Sequence, residues 1–327
     1  MSNRNSTRRL AALVAPLLAF LAVGCGSSGQ TQQPLTTPTA TARKGRVEPS
    51  SVVTATTPST AMTTTTATPT TSSGPLTIST AEPSLPVGES LELSGFEDRP
   101  SLLQRVADPS APLVVVFHGS RGSIENVQKR SGLHLDGPAA GVAVLWLSGK
   151  PLPKRSWNTN NRCCDPASTN HVDDMAYIDA AINAVRTEGL SPVRIITAGV
   201  SNGAGMAVSV ACKRPKVFAV AVSVAGWMPV SCRNTAVSLV AIGGTKDDVV
   251  GRRKPKQMAS TWRRFVVQCP NEPSEESDGP ALVTTWRGCT SGTFVRLVVL
   301  DDVEHVWPRF DFYDATSDIT AVARGEV

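Results

Sequence analysis

Downstream of residue 75, the apolar residues fall into short runs separated by polar or helix-periodic stretches. Leu113–Phe117, Val142–Leu147, Val193–Ala198, Ala219–Val224, Val237–Ile242 and Phe294–Leu300 are too short for helices and apolar almost throughout, which predicts strands buried on both faces. Leu91–Leu93 and Leu102–Val106 are further strand candidates ahead of them. Helical patterns occupy Asp173–Thr187, where Met175, Ile178 and Ile182 recur on one face, and also Ala204–Lys213 and Pro255–Gln268. Strands alternating with helices predict an α/β fold with a mainly parallel central sheet, helices on both faces and antiparallel strands at its start. Residues 76–327 are enough for one such domain with a full core. A short final helix is expected from the cap candidate Asp314 to Val327.

One junction in this pattern carries chemistry. Between the run ending at Ala198 and the small-residue helix from Ala204 stands Gly199-Val200-Ser201-Asn202-Gly203, the sequence form of a nucleophile elbow. A serine hydroxyl is a weak nucleophile, so it needs a base and oxyanion donors beside it. The partners are expected in the order acid then histidine. Asp247 follows the run Val237–Ile242 in Gly243-Gly244-Thr245-Lys246-Asp247, and His305 follows Phe294–Leu300. Ser201, Asp247 and His305 are thus the candidate triad, His305 as general base and Asp247 as its orienting acid. Asp248, Asp301, Asp302 and Glu304 compete for the acid's place, and Asp301 and Asp302 read as a solvated loop face.

The chain has four histidines. His118 sits in Phe117-His118-Gly119-Ser120, just after a strand, where the backbone matters more than the imidazole. The oxyanion donors expected are the N–H of Asn202 and one from Gly119, Ser120 or Arg121, with Ser120 preferred and His118 a structural loop residue. His134, in a polar loop, and His171, before a helix, read as surface residues or caps, so no metal site and no cofactor are indicated. Asp173-Asp174 reads as a helix start. Trp307, beside the histidine, is a candidate substrate contact, whereas Trp157 suits the core as well.

Together with Trp157 and Cys163-Cys164, Val172-Asp173-Asp174, Cys212-Lys213-Arg214-Pro215, Trp286 before Cys289 and His305-Val306-Trp307-Pro308, these motifs resemble the secreted polyhydroxybutyrate depolymerase and feruloyl esterase group of carbohydrate-esterase-family-1-like α/β-hydrolases. The resemblance runs from about residue 100 to 320. It implies the α/β-hydrolase fold and a cofactor-free serine esterase working through an acyl-enzyme, with Ser201, Asp247 and His305 as its triad. Members often carry His-Gly-Thr where this chain has Gly243-Gly244-Thr245, and Val-Pro-Tyr where it has Val249-Val250-Gly251-Arg252-Arg253. Expected substrates are a hydroxyalkanoate oligoester, a feruloyl or acetyl ester, or a cell-envelope ester. An acyltransferase acting on envelope acceptors and a non-catalytic envelope binding protein are the alternatives.

The first 75 residues differ in kind. Arg4, Arg8 and Arg9 precede the apolar stretch Leu10–Val23, and Leu21-Ala22-Val23-Gly24-Cys25 resembles a bacterial lipoprotein cleavage site. Residues 1–24 then form a signal peptide, and Cys25 carries the lipid that anchors an extracytoplasmic protein to the membrane. Residues 25–75, rich in Thr, Ser and Pro, predict a disordered stalk, which spans roughly 40 Å as a flexible coil. Residues 1–75 hold six Lys or Arg and one Glu, so they account for the whole formal charge of +5 and leave residues 76–327 balanced. That balance argues against nucleic acid as a partner; Arg252-Arg253-Lys254-Pro255-Lys256 reads as a solvated loop face, and a monomer is expected. Of seven cysteines, six remain once Cys25 is set aside, and in an oxidising compartment they predict disulfide-stapled loops. Cys269 and Cys289, flanking a polar loop, are the expected pair; Cys163 and Cys164 would then take Cys212 and Cys232.

Overall fold

The computed structural model describes residues 89–327 apart from 151–153, 160–162 and 234. The leader, Cys25 and the Thr-rich segment lie outside the described residues. Strands β1 (Ser90–Glu92) and β2 (Ser101–Gln104) lead to β3 (Leu113–Phe117), and helices α1 (Ile124–Ser131) and α2 (Leu133–Ala139) return the chain to β4 (Ala143–Leu147). Helix α3 (Asp174–Thr187) precedes β5 (Ile195–Val200), and α4 (Asn202–Lys213) follows almost at once. After β6 (Val220–Val224) and β7 (Ser238–Gly244) comes α5 (Lys254–Thr261), prolonged as a π-helical turn to Val266. The strands β8 (Ser274–Asp278), β9 (Ala281–Trp286) and β10 (Val295–Leu300), the short pair β11 (Arg309–Phe310) and β12 (Tyr313–Asp314), and helix α6 (Ala315–Arg324) complete it.

Ten strands form one sheet in the order β1-β2-β4-β3-β5-β6-β7-β10-β9-β8. The six from β4 to β10 are parallel, and the outer strands on each side are antiparallel. The central runs are uniformly apolar because both faces are covered. Leu113, Val115 and Phe117 of β3 pack into one core with Ile178 of α3, Met206 of α4 and Met258 of α5. Val114 and Val116 pack into the other, with Val127 of α1, Leu133 of α2 and Ile319 of α6. This is the α/β-hydrolase architecture. Asp173 caps α3 by accepting from the Ala176 N–H at 3.0 Å, and Asp314 caps α6 by accepting from Thr316 at 2.7 Å. The last helix stops at Gly325, whose φ of 81° is left-handed, so it ends before Val327.

Three expectations need correction. The polar stretch between Cys269 and Cys289 is a β8–β9 hairpin; β8 is Ser274-Glu275-Glu276-Ser277-Asp278, exposed along its length at the sheet edge, so it lacks the apolar alternation that signals a strand. His134 lies in α2 and not in a loop, its helix hidden by Gly137-Pro138. The disulfides join Cys269 to Cys289, Cys212 to Cys232 and Cys163 to its neighbour Cys164, so the cross-pairing expected for the last four does not occur. The Thr159 methyl packs 3.4 Å from where a Cβ on Gly205 would lie, near the start of α4. Cys212, at the other end, is about 10 Å further along the helix axis, beyond the roughly 7 Å between Cα atoms that a disulfide spans.

Candidate active site

Ser201 stands between β5 and α4 with φ 56° and ψ −121°, a backbone region that a non-glycine residue rarely occupies. The turn is held from both sides: the Ser201 N–H donates to the Val224 carbonyl at 3.0 Å, and its carbonyl accepts from Gly205 at 3.2 Å. Two glycines make the turn possible by close approach. A Cβ on Gly199 would collide with the Gly203 carbonyl, and one on Gly203 with the carbonyls of Phe117 and His118. The Gly-x-Ser-x-Gly spacing therefore reports a physical requirement, with strand, helix and the loop after β3 converging on one serine.

Because β5, β6, β7 and β10 are neighbours and parallel, the segments leaving their C-terminal ends share one edge of the sheet. Asp247 leaves β7 and His305 leaves β10. The His305 Nδ1–H donates to Asp247 Oδ2 at 2.9 Å. Asp247 is only 3 % exposed, and its Oδ1 accepts from the amides of Val249 at 3.0 Å and Val250 at 2.9 Å, which fix the carboxylate in place. Asp248 points into solvent and makes no such contact among the described residues. Both loops are clipped together: Lys246 N–H donates to Val303 O at 2.9 Å, and Thr245 Oγ1 to Asp301 at 2.8 Å. Gly244 lets the Val303 backbone pass directly over it. Asp301 and Asp302 are exposed as expected, yet each also ties the histidine loop to the Thr245-Lys246 turn. Beyond His305 the chain enters α6, which packs beneath β5 and β6, so the histidine loop runs from β10 back towards the strand that bears Ser201.

The loop after β3 is braced by residues far away in sequence. His118 is fully buried; its Nδ1–H donates to the Gly119 carbonyl at 2.7 Å, and its Nε2 accepts from Gly149 N–H at 2.9 Å. Burial pushes its pKa down to about 4, so the ring is neutral and structural. Gly119 lies beside Ser201, a Cβ on it falling 3.6 Å from the Ser201 Cβ. Of the three oxyanion candidates in this loop, Arg121 is excluded because its N–H already donates to the Arg155 carbonyl at 2.6 Å. Asn202 opens α4, where first-turn amides have no acceptor within the helix. Its side chain is buried and clamps Trp157: the Trp157 N–H donates to Oδ1 at 2.7 Å, and Nδ2 donates to the Trp157 carbonyl at 3.1 Å. The Trp157 indole N–H in turn donates to the His118 carbonyl at 2.9 Å.

Under this brace lies an ion pair that the sequence does not reveal. Arg99 pairs with Asp174, both nearly inaccessible, while the Asp174 carboxylate also accepts from the Asn158 N–H at 2.6 Å. Arg99 donates to the Ser148 carbonyl at 2.7 Å and stacks 3.7 Å from the Tyr177 ring centre. Burial raises the Asp174 pKa, opposed by the Arg99 charge. Asp173 is the helix cap of the two acids, and Asp174 anchors the Trp157 loop. Trp307 is also reassigned. It is 5 % exposed, sits in the core with Ile319, and donates from its indole N–H to Thr316 Oγ1 at 3.0 Å, so its ring braces α6.

Ser201 lines a cleft of about 250 Å³ together with the residues of the His118–Gly122 loop and the α1 side chains Asn126 and Arg130. Among the described residues, no group of three or more His, Cys, Asp and Glu side chains could hold a metal ion. A strained serine, a loop that offers amides beside it and a carboxylate-oriented imidazole are the parts that acyl transfer requires.

The fold and this arrangement define an α/β-hydrolase of the esterase type. Residues 102–255 match the Esterase PHB depolymerase family. Over 235 residues the chain is 28 % identical to Putative esterase NocK of Nocardia uniformis subsp. tsuyamanensis, covering 62 % of this chain and 67 % of that protein. The solved structure of an acetyl xylan esterase from Aspergillus awamori superposes with a TM-score of 0.58 at 14 % identity, over 73 % of this chain and 100 % of that one, which shows the shared fold. The chain is a carboxylic ester hydrolase, PHB depolymerase- and esterase-like.

Proposed function

We propose that the chain hydrolyses carboxylic esters through a Ser201–His305–Asp247 triad and an acyl-enzyme. The observation that carries this is the 2.9 Å hydrogen bond from His305 to the buried Asp247, on the same sheet edge as the Ser201 elbow. With Nδ1–H committed to Asp247, the His305 Nε2 is the nitrogen free to take a proton. As the Ser201 Oγ bonds to the ester carbonyl carbon, its proton passes to Nε2. The charge on the former carbonyl oxygen is met by the N–H of Asn202 and that of Ser120 or Gly119. Collapse breaks the ester C–O bond, and His305 returns the proton to the departing alcohol. Water then repeats the sequence on the acyl-Ser201, releasing the acid and restoring the hydroxyl.

The substrate is a hydroxyalkanoate oligoester, a feruloyl or acetyl ester, or an envelope ester. The site of action is extracytoplasmic, on a chain anchored through lipidated Cys25; the leader pattern at residues 4–25 and three disulfides in the structure support this. The test is turnover of a 4-nitrophenyl ester series by the full-length chain and by Ser201→Ala, with product analysis in the presence of an alcohol or sugar acceptor. Free acid as the main product, lost in the variant, is expected. Acyl transfer to the acceptor in preference to water would make the protein a transferase, and turnover retained by Ser201→Ala would overturn the triad.

A further inference from the structure

The walls of the Ser201 cleft are of one charge sign. Arg121 and Arg130 line it, and no Asp or Glu is among its lining residues. Arg130 stands four positions after Asn126 on α1, so both side chains share the helix face that borders the cleft. Both side chains are exposed at the cleft, and neither guanidinium has a carboxylate within ion-pair distance among the described residues. The recess beside Asp247 is different, because there the basic run Arg252-Arg253-Lys254 is faced by Asp248.

Arg121 is held in an unusual way. Its φ is 59°, a left-handed conformation that favours glycine or asparagine, yet the position carries a long cationic side chain. Its N–H is bonded to Arg155, and the following Gly122 N–H to Gly119 at 3.0 Å, so the turn that presents it is fixed. Arg155 lies behind the loop with its Nε buried and without a hydrogen-bond partner among the described residues, and its charge is felt by Glu125 of α1. Glu125, the one acid of α1, is drawn to Ser123 at the helix start, which holds its pKa down. A backbone outlier that bears an unpaired charge beside a strained serine is better explained by a ligand than by folding.

We propose that this cleft selects esters that carry a carboxylate close to the scissile carbonyl, with Arg121 and Arg130 pairing with that carboxylate and Ser201 attacking the ester. This rests on the triad reading above and adds a substrate class to it. A carboxylate between two guanidinium groups gains charge-assisted hydrogen bonds that a neutral ester of equal size lacks.

The test compares kcat/KM of the full-length chain for two matched pairs: 4-nitrophenyl hydrogen glutarate against 4-nitrophenyl pentanoate, and 4-acetoxybenzoate against its methyl ester. These place the charge on the acyl side and on the leaving side in turn. At low ionic strength the anionic ester of one pair should be preferred about tenfold. Arg121→Gln and Arg130→Gln should each reduce that ratio by about fivefold or more, Arg130→Lys should keep part of it, and salt at about 0.5 M should shrink it. Fluorophosphonate labelling of each variant separates a lost preference from a lost fold. Neutral esters turned over without preference in either pair, or a preference unchanged in both glutamine variants, would overturn the proposal while leaving the triad intact. No turnover of any ester and no labelling of Ser201 would overturn the triad, and the proposal with it.

Discussion

Acidification should destabilise this protein through His118. The ring is needed in its neutral form twice over, as donor from Nδ1 to Gly119 and as acceptor at Nε2 from Gly149. Protonating Nε2 replaces the second bond by two hydrogens that face each other. Burial holds the folded-state pKa at about 4, whereas the unfolded chain titrates at about 6.5. Between these values the unfolded chain binds a proton that the folded chain refuses, so stability is lost as pH falls and regained as it rises. The loss works out at about 2 kcal/mol at pH 5, growing to about 3 kcal/mol below pH 4, and is negligible at pH 7.5. Urea unfolding at a series of pH values would measure it, with His118→Gln as the non-titrating comparison. Carboxylates contribute to the pH slope of both proteins, so the difference between the slopes isolates the imidazole. NMR of the four histidine rings gives an independent reading. A His118 ring that titrates near 6.5, or parallel slopes in the two proteins, would refute the reasoning.

Asp247→Asn should lower kcat by about three to four orders of magnitude, since it accepts from His305 and fixes the ring's tautomer; Asp248→Asn should change kcat little, and steady-state kinetics on one ester would expose the opposite ranking. Asp174→Ala should cost about 3–5 kcal/mol in chemical denaturation by stranding buried Arg99, and Arg99→Met with Asp174→Leu together should cost less than that single change. Converting Cys212 and Cys232 to Ser should cost about 3 kcal/mol, given the 20-residue separation that their bond closes. Peptide mapping of the unreduced chain should recover Cys212 with Cys232 and Cys269 with Cys289, and finding Cys212 bonded to Cys163 or Cys164 would contradict the fold described.

What the sequence made legible was whatever depends on local rules. Doubly covered strands announce themselves as unbroken apolar runs, so β3 to β7 and β10 fall within a residue or two of expectation. The glycines at 199 and 203 mark the elbow because only their missing side chains allow three backbones to meet there. The charged edge strand β8 follows no such rule, since exposure on both faces removes the alternation. The brace behind the site was hidden for another reason. Arg99, Trp157, Asp174 and Asn202 come from four separate segments, and nothing local distinguishes a buried Arg99 from an exposed one. Trp307 failed in the same way: adjacency to His305 in sequence placed it near the chemistry, but successive side chains of a turning loop point apart, and its ring went to the core.

The most direct measurement is covalent labelling of the full-length chain by a fluorophosphonate, followed by peptide mapping of the adduct. A single adduct on Ser201, absent from Ser201→Ala and much slower to form in His305→Ala and Asp247→Asn, is the predicted result. A folded protein that stays unlabelled, or an adduct on any other serine, would contradict the triad.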